Sequence, residues 1–368
     1  MSVMESVSDH STTKGTRSLS RNVAALSTLI GSTPLLAIHL RWKNQARTIY
    51  AKAEHYNLTG SIKDRMALFV LSEGARTGSL KPGDLVIEAT SGNSGIATAA
   101  VARALGHRTR IFMPDWMSQE RKQLLRSYGA ELELVSAEDG GVVECMRRCE
   151  DLGRAHADIF GPCQFTNPDN WRAHAQTTGP EILAQLGHIG LLPDAFVAGV
   201  GTGGTVMGCA LALRATNSRI KIHPVEPAES PTLSVGRKIG SHRIQGMTDD
   251  FIPEILDLSH LDNVIAVSDG DAILMAQKLA SKLGIGVGIS SGANLIGALK
   301  AQDQLCPEAI VATVFSDDNK KYLSTAFSQT EPIKPGYLTP DIELISFDAI
   351  ACPNIGPQLA SSSPYQTH

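Results

Sequence analysis

The sequence predicts an α/β protein built as two three-layer αβα domains with parallel-rich sheets. Three observations predict it. Short β-like runs alternate with helical stretches from residue 47 to residue 315, a rhythm that buries parallel strands under helices on both faces. The chain has 368 residues, 42% of them hydrophobic, enough for two cores. Two strand-to-helix junctions are rich in Gly, Ser and Thr, which is where open α/β sheets bind ligands.

The elements follow in order. RTIYAKAE (47–54) is a strand, and YNLTGSIKDRMALFVL (56–71) turns into a helix. Ser61 is placed to cap that helix and Asp64 completes an S-x-x-D start. Lys63 then falls in the first turn, where free N–H groups disfavour cations. DLVIEAT (84–90) is the next strand, followed by SGNSG and the helix IATAAVARALG. RTRIFMP, the helix SQERKQLLRSYG (capped by Ser118 and stopped at Gly129), AELELV and a helix over 141–156 complete the first half. The second half repeats the pattern with DAFVAGV, GTGGT, the helix VMGCALALRA, IKIHPVEP and NVIAVS. Two helices, GDAILMAQKLASKLG and GANLIGALKAQ, then lead to the strand AIVATVF. We expect a flexible segment at 1–22, domains at 23–158 and 159–330, and an irregular tail at 331–368, where prolines and SSSP accumulate.

Composition excludes several classes. A net charge of −4 without a basic block argues against a nucleic-acid partner. No apolar run approaches the ~18 residues of a spanning helix, so no membrane partner is expected. The polar N-terminus lacks the apolar core of a secretory signal, and Glu5 and Asp9 count against a transit peptide. Cys145, Cys149, Cys163, Cys209, Cys306 and Cys352 show no C-x-x-C spacing, which reads as free thiols in the cytoplasm and no metal site.

The Gly-rich junctions carry the chemistry. Thr90, Ser91, Gly92, Asn93, Ser94 and Gly95 precede one helix; Gly199, Gly201, Thr202, Gly203, Gly204 and Thr205 precede another. Both offer a helix N-terminus to an anion. The second also matches G-x-G-x-x-G, with Glu226 on the next strand where a ribose-binding acid would lie. That supports an NAD-dependent oxidoreductase but leaves Lys63 and Asn93 unexplained. Pyridoxal phosphate uses all three features: a phosphate for the second loop, a ring oxygen for Asn93 and an aldehyde for Lys63. The lysine's awkward position then becomes useful, because positive potential and burial lower an ammonium's pKa and leave a nucleophilic amine.

The chain resembles the fold-type II pyridoxal-phosphate enzymes, the tryptophan synthase β-like fold, and within them the cysteine synthase and cystathionine β-synthase group. LIGSTPLL, NLTGSIKDR, EATSGNSGIA, MPDWMSQERKQLLRSYGAEL, QFTNPDN, HAQTTGPEI, GVGTGGTVMG, VEPAESP, IQGMTDDFIP, GISSGAN and KKYLST carry it in the family order, from about residue 28 to about 328. Leu58 stands where proline is usual. The resemblance implies an active site in the interdomain cleft. Lys63 would be the Schiff-base lysine that takes and returns the α-proton, and Asn93 would hold the ring hydroxyl. Thr90, Ser91, Gly92, Asn93 and Gln164 would hold the substrate carboxylate; Gly201, Thr202, Gly203, Gly204 and Thr205 would form the phosphate cup. Gly246 would face the substrate amine, and His174 is kept as structural. The implied chemistry is β-replacement through an α-aminoacrylate. O-acetylserine and sulfide giving cysteine and acetate is the first reading, and the implied assembly is a homodimer. Cystathionine, lanthionine or S-sulfocysteine synthesis, or cysteine desulfhydration, is the alternative within the family.

Two departures matter. Thr248, Asp249 and Asp250 stand where simple cysteine synthases carry small residues, and Asp250 matches the cystathionine β-synthase pattern. Acids there would suit an ammonium-bearing thiol better than sulfide. In FSDDNKKYLST, Asp317 or Asp318 falls at the station of the serine that meets the pyridine nitrogen. A carboxylate at that station would keep the nitrogen protonated; the alternative is that both point to solvent and Ser316 or Asn319 makes the contact.

Overall fold

A computed structural model describes residues 21–90, 92–247 and 251–353. Two sheets organise them. The larger holds β1 (Leu35–Trp42), β2 (Gln45–Ala53), β7 (Ala195–Gly199), β8 (Lys221–Pro227), β9 (Ile265–Val267), β10 (Val311–Phe315) and β11 (Glu343–Ile350), in the order β11-β1-β2-β10-β7-β8-β9. The smaller holds β3 (Leu85–Ala89), β4 (Arg108–Pro114), β5 (Glu131–Val135) and β6 (Ile159–Phe160), in the order β5-β4-β3-β6. The smaller sheet is parallel throughout, and the larger is parallel from β2 to β9.

Helices cover both faces, as strand periodicity requires. On β7, Val197 packs with Ala276, Leu279 and Leu295 of α8 (Asp269–Leu283) and α9 (Ile289–Leu305). Its neighbour Phe196 points the other way, to Ile182 and Leu213 of α6 (Thr178–His188) and α7 (Gly204–Thr216). In the smaller sheet Val86 meets α1 (Lys63–Thr77) and α2 (Asn93–Ala104), whereas Ile87 faces Cys145 of α4 (Gly141–Ala155). α3 (Gln119–Ser127) starts at Ser118, whose hydroxyl accepts from Arg121 N, and α5 (Asp169–Gln176) precedes α6. No helix of the described residues is long and apolar enough to cross a membrane.

Two expectations are corrected. The tail is not all irregular: β11 pairs antiparallel with β1 over Glu343–Ile350. Ile345, Phe347 and Ala349 alternate with Ser346 and Asp348, but most of its side chains on both faces stay exposed. Residues 35–53 also do not pair within the smaller sheet, where a boundary at 158 would put them. They form a hairpin through Lys43 and Asn44, both at positive φ (51° and 58°), and β2 pairs with β10. Two positive-φ residues give the turn whose twist matches paired strands.

Candidate active site

α1 begins at Lys63, but its cap is not the one the sequence suggests. Ile62 occupies the N-cap, and the Ser61 hydroxyl accepts from Lys63 N at 3.3 Å. Asp64 turns back to Thr59, accepting from its N–H at 2.7 Å and its hydroxyl at 2.5 Å. The S-x-x-D segment therefore locks the preceding loop. Ile62 N also donates to Ser316 O at 2.9 Å, which docks the start of α1 on the end of β10. Lys63 lines the cleft. Desolvation holds its amine below the ordinary lysine value, with the charge of Asp317 opposing.

The structure separates the two adjacent aspartates. Asp317 is fully buried, and its Oδ2 accepts from Asn93 Nδ2 at 2.7 Å and from the Tyr322 hydroxyl at 2.5 Å. Its Oδ1 and the Asn93 Oδ1 are buried without hydrogen-bond partners. Asp318 faces the other way, beside Gly60 and 3.7 Å from Lys321 Nζ, and accepts from Lys320 N. Of the two carboxylates, only Asp317 reaches Asn93. Ser316 lines the cleft, which neither aspartate does, and its N–H donates to Ser291 Oγ.

Thr90, Gly92, Asn93 and Gln164 meet on one wall; Ser91 lies outside the described residues. Thr90 Oγ1 accepts from Gly92 N, and the Gln164 amide is fixed by Ser94 Oγ and Ala89 O. Below this loop sits Glu88, whose burial pushes its carboxyl up to about 8.

The opposite wall is the second glycine loop. α7 starts from Gly203 (φ +87°) with no acid in its first turn; the Gly204 N–H donates to Thr202 Oγ1 at 3.3 Å, and the remaining first-turn N–H groups are available to an anion. A Cβ on Gly204 would collide with Asn170, and one on Gly201 with the Gly246 carbonyl. Asn170 Nδ2 donates to Thr202 Oγ1 at 2.9 Å. His174 is buried against Thr178 Oγ1 and lies 3.4 Å from Thr205 Oγ1. Burial drops its pKa to about 3, so it supports the loop as a neutral ring.

Glu226 is not free for a ribose. It is buried and accepts from Leu233 N, Ser234 N and Ser234 Oγ, which removes the acid that the dinucleotide reading needs. Gln245, Gly246 and Met247 roof the cleft; Thr248, Asp249 and Asp250 lie outside the described residues.

Pyridoxal phosphate fits this cleft. The helix start, without a side-chain cap, suits a dianionic phosphate, and Asn93, whose Oδ1 is unpartnered, lines the cleft with the lysine that would capture an aldehyde. Sequence reasoning missed Tyr322, which fixes Asp317, and Arg121, which lines the cleft. Both stand inside quoted family segments, but nothing in their spacing distinguishes them from neighbouring surface residues.

Comparisons with known proteins agree. The family described as "Pyridoxal-phosphate dependent enzyme" matches residues 26–317. The probable cysteine synthase of Bacillus subtilis (strain 168) is 41% identical over 303 residues, which covers 82% of this chain and 97% of that one. The hydrogen sulfide-producing enzyme (Fn1055) from Fusobacterium nucleatum superposes with a TM-score of 0.88 at 47% identity, covering 90% of this chain and 99% of that one. The O-acetylserine dependent cystathionine beta-synthase from Helicobacter pylori superposes with a TM-score of 0.73 at 35% identity, covering 84% and 98%.

Proposed function

The chain belongs to the pyridoxal-phosphate dependent enzymes of the cysteine synthase-like family, and from that premise we propose that it joins O-acetylserine and sulfide to give cysteine and acetate. It is a pyridoxal-phosphate-dependent β-replacement enzyme of the cysteine synthase type, acting on small molecules. One observation carries the assignment of roles: Lys63, Asn93 (held from behind by Asp317) and the start of α7 converge on one cleft.

Bound pyridoxal phosphate supplies an aldehyde that captures primary amines and a ring that accepts the electron pair left at Cα. Lys63 tethers the cofactor at rest. With substrate bound, its free amine would remove the Cα proton and later return it. A depressed pKa suits both duties, because the neutral form exists near working pH. Thr90, Ser91, Gly92, Asn93 and Gln164 bind the substrate carboxylate, and Asn93 also reaches the ring hydroxyl. Gly201, Thr202, Gly203, Gly204 and Thr205 hold the phosphate. Gly246 roofs the amine side, and Asp250 is assigned to the nucleophile's ammonium where an amino-acid thiol replaces sulfide. Division into lobes at 23–158 and 159–330, with residues 35–53 joining the second, leaves the cleft free to close. The working form is taken as a cytoplasmic homodimer. Family resemblance supports that reading.

Asp317 is assigned to the ring nitrogen from its place behind the cleft: Asn93 and Tyr322, which line the cleft, both donate to its Oδ2, while its Oδ1 abuts Gly288. Asp317→Ser is expected to lower kcat by about 10- to 100-fold, or roughly 1.4–2.7 kcal/mol, with cofactor content unchanged. Asp318→Ser should stay within about twofold. Steady-state kinetics with visible absorbance spectra decide it, and two silent variants sink the assignment.

A second reading has its own support. The Fusobacterium relative named for sulfide production is 47% identical, more than the cysteine synthase above. Cysteine would then be the donor and sulfide the leaving group. Assaying the holoenzyme for cysteine from O-acetylserine plus sulfide, and for sulfide from cysteine, separates the two. Faster cysteine formation supports the proposal, faster sulfide release supports the second reading, and activity in neither assay overturns both.

A further inference from the structure

We propose that Arg121 is the counter-charge for the substrate's α-carboxylate, an ionic recognition element added to the neutral donors of the 90–93 loop. The inference rests on the β-replacement reading above and deepens it. Arg121 is only 2% exposed, yet it lines the cleft. No carboxylate of the described residues stands within salt-bridge distance of it. Glu120, its neighbour on α3, turns away to Ser324 Oγ at 2.7 Å, and Asp317 is engaged by Asn93 and Tyr322. The guanidinium has one side-chain hydrogen bond, from Nη1 to Gln245 Oε1, and lies 4.9 Å from the centre of the Tyr322 ring. Its Nε is buried with no partner.

A buried cation with one neutral partner is costly unless an anion completes it. The place for that anion is set by packing. A Cβ added to Gly92 would stand 2.6 Å from Arg121 Nε, so the guanidinium abuts the loop assigned to the carboxylate. That loop holds no charged side chain from Thr90 to Asn93. The roof residue Gln245 binds the same guanidinium, so a carboxylate seated there would also steady the roof.

The test is a titration of holoenzyme with L-alanine and with L-alaninamide, neither of which has a β leaving group, followed by the change in visible absorbance. Wild type should prefer alanine. Arg121→Met should cut that preference by about 10- to 100-fold, the loss of one hydrogen bond to a charged group. Arg121→Lys should restore part of it, with cofactor content and melting temperature unchanged in both. A preference that survives in Arg121→Met, or equal weakening of both ligands, overturns the assignment. A wild type that responds to neither ligand overturns the parent reading and this one with it.

Discussion

Lys63→Ala is expected to lower β-replacement by at least about 10³-fold, the largest functional effect of any single substitution here. The reason is that one amine is asked to do two jobs, tethering the cofactor and moving the Cα proton, and among the described residues no second lysine lines the cleft. Lys321 is committed elsewhere, donating to Gly60 O at 2.9 Å. The fold should survive, because Lys63 makes no salt bridge and the backbone contacts at the start of α1 do not involve its side chain. Purified Lys63→Ala should therefore melt near the wild type while losing the visible absorbance of covalently held cofactor. The pH dependence follows from the direction of the shift. Desolvation lowers the Lys63 pKa, so the nucleophilic amine persists to lower pH than for an ordinary lysine and is lost only as pH falls through the lowered value. Reloading of cofactor-free wild type should follow that curve, and Lys63→Ala should show no covalent reloading at any pH. Retention of half the wild-type kcat would remove Lys63 from the mechanism.

Lys63 was legible because local sequence signals bear directly on it: the helix start, the apolar run and the misplaced charge all lie within a dozen residues. The second glycine loop was legible for the same reason, since a Gly-rich helix start after a buried strand is a local pattern. The choice between Asp317 and Asp318 was not. They are neighbours in sequence, and only the way the chain leaves β10 turns one toward Asn93 and the other toward Lys321. Arg121 was hidden more deeply. In SQERKQLLRSYG it reads as one of several charges on an amphipathic helix, and its burial arises only when Gly92, Gln245 and Tyr322 are brought around it. β11 escaped because its short alternation, Ile345, Phe347 and Ala349 against Ser346 and Asp348, sits in a proline-rich tail and stays exposed at the sheet edge. The part of the site written in consecutive residues could be read; the part made by surfaces meeting across the cleft could not.

Glu181→Ala should produce the largest loss of stability, about 3–5 kcal/mol, and should weaken catalysis as a consequence. Arg65, two residues after Lys63, is held by Glu54 (2.6 Å) and Glu181 (2.7 Å), and Lys52 Nζ is 2.7 Å from Glu181, with all four side chains no more than 3% exposed. Two cations and two carboxylates balance in the native chain. Removing Glu181 leaves Lys52 and Arg65 to share Glu54, a net buried positive charge. The Ser32 N–H, which donates to Glu181 Oε1 at 3.0 Å, is orphaned as well. The cluster joins β2, α1 and α6, so its loss loosens the helix that carries Lys63. The native cluster also has a defined acid limit. Glu54 is held down to about 2 although burial alone would raise it; the opposing pull comes from the charge and hydrogen bonds of Arg65. A carboxylate with a depressed folded-state pKa contributes stability above its unfolded value, and that stability is lost as pH falls through the folded value. The wild-type melting temperature should therefore decline as pH drops from about 4.5 toward about 2. Glu181→Ala should begin lower at neutral pH. Glu181→Gln keeps the shape while removing the charge, so it should fall nearly as far if the buried charge balance is what matters. Thermal melts of the three proteins at neutral pH decide between charge and packing: a Gln variant as stable as wild type would show that the cluster acts through shape alone.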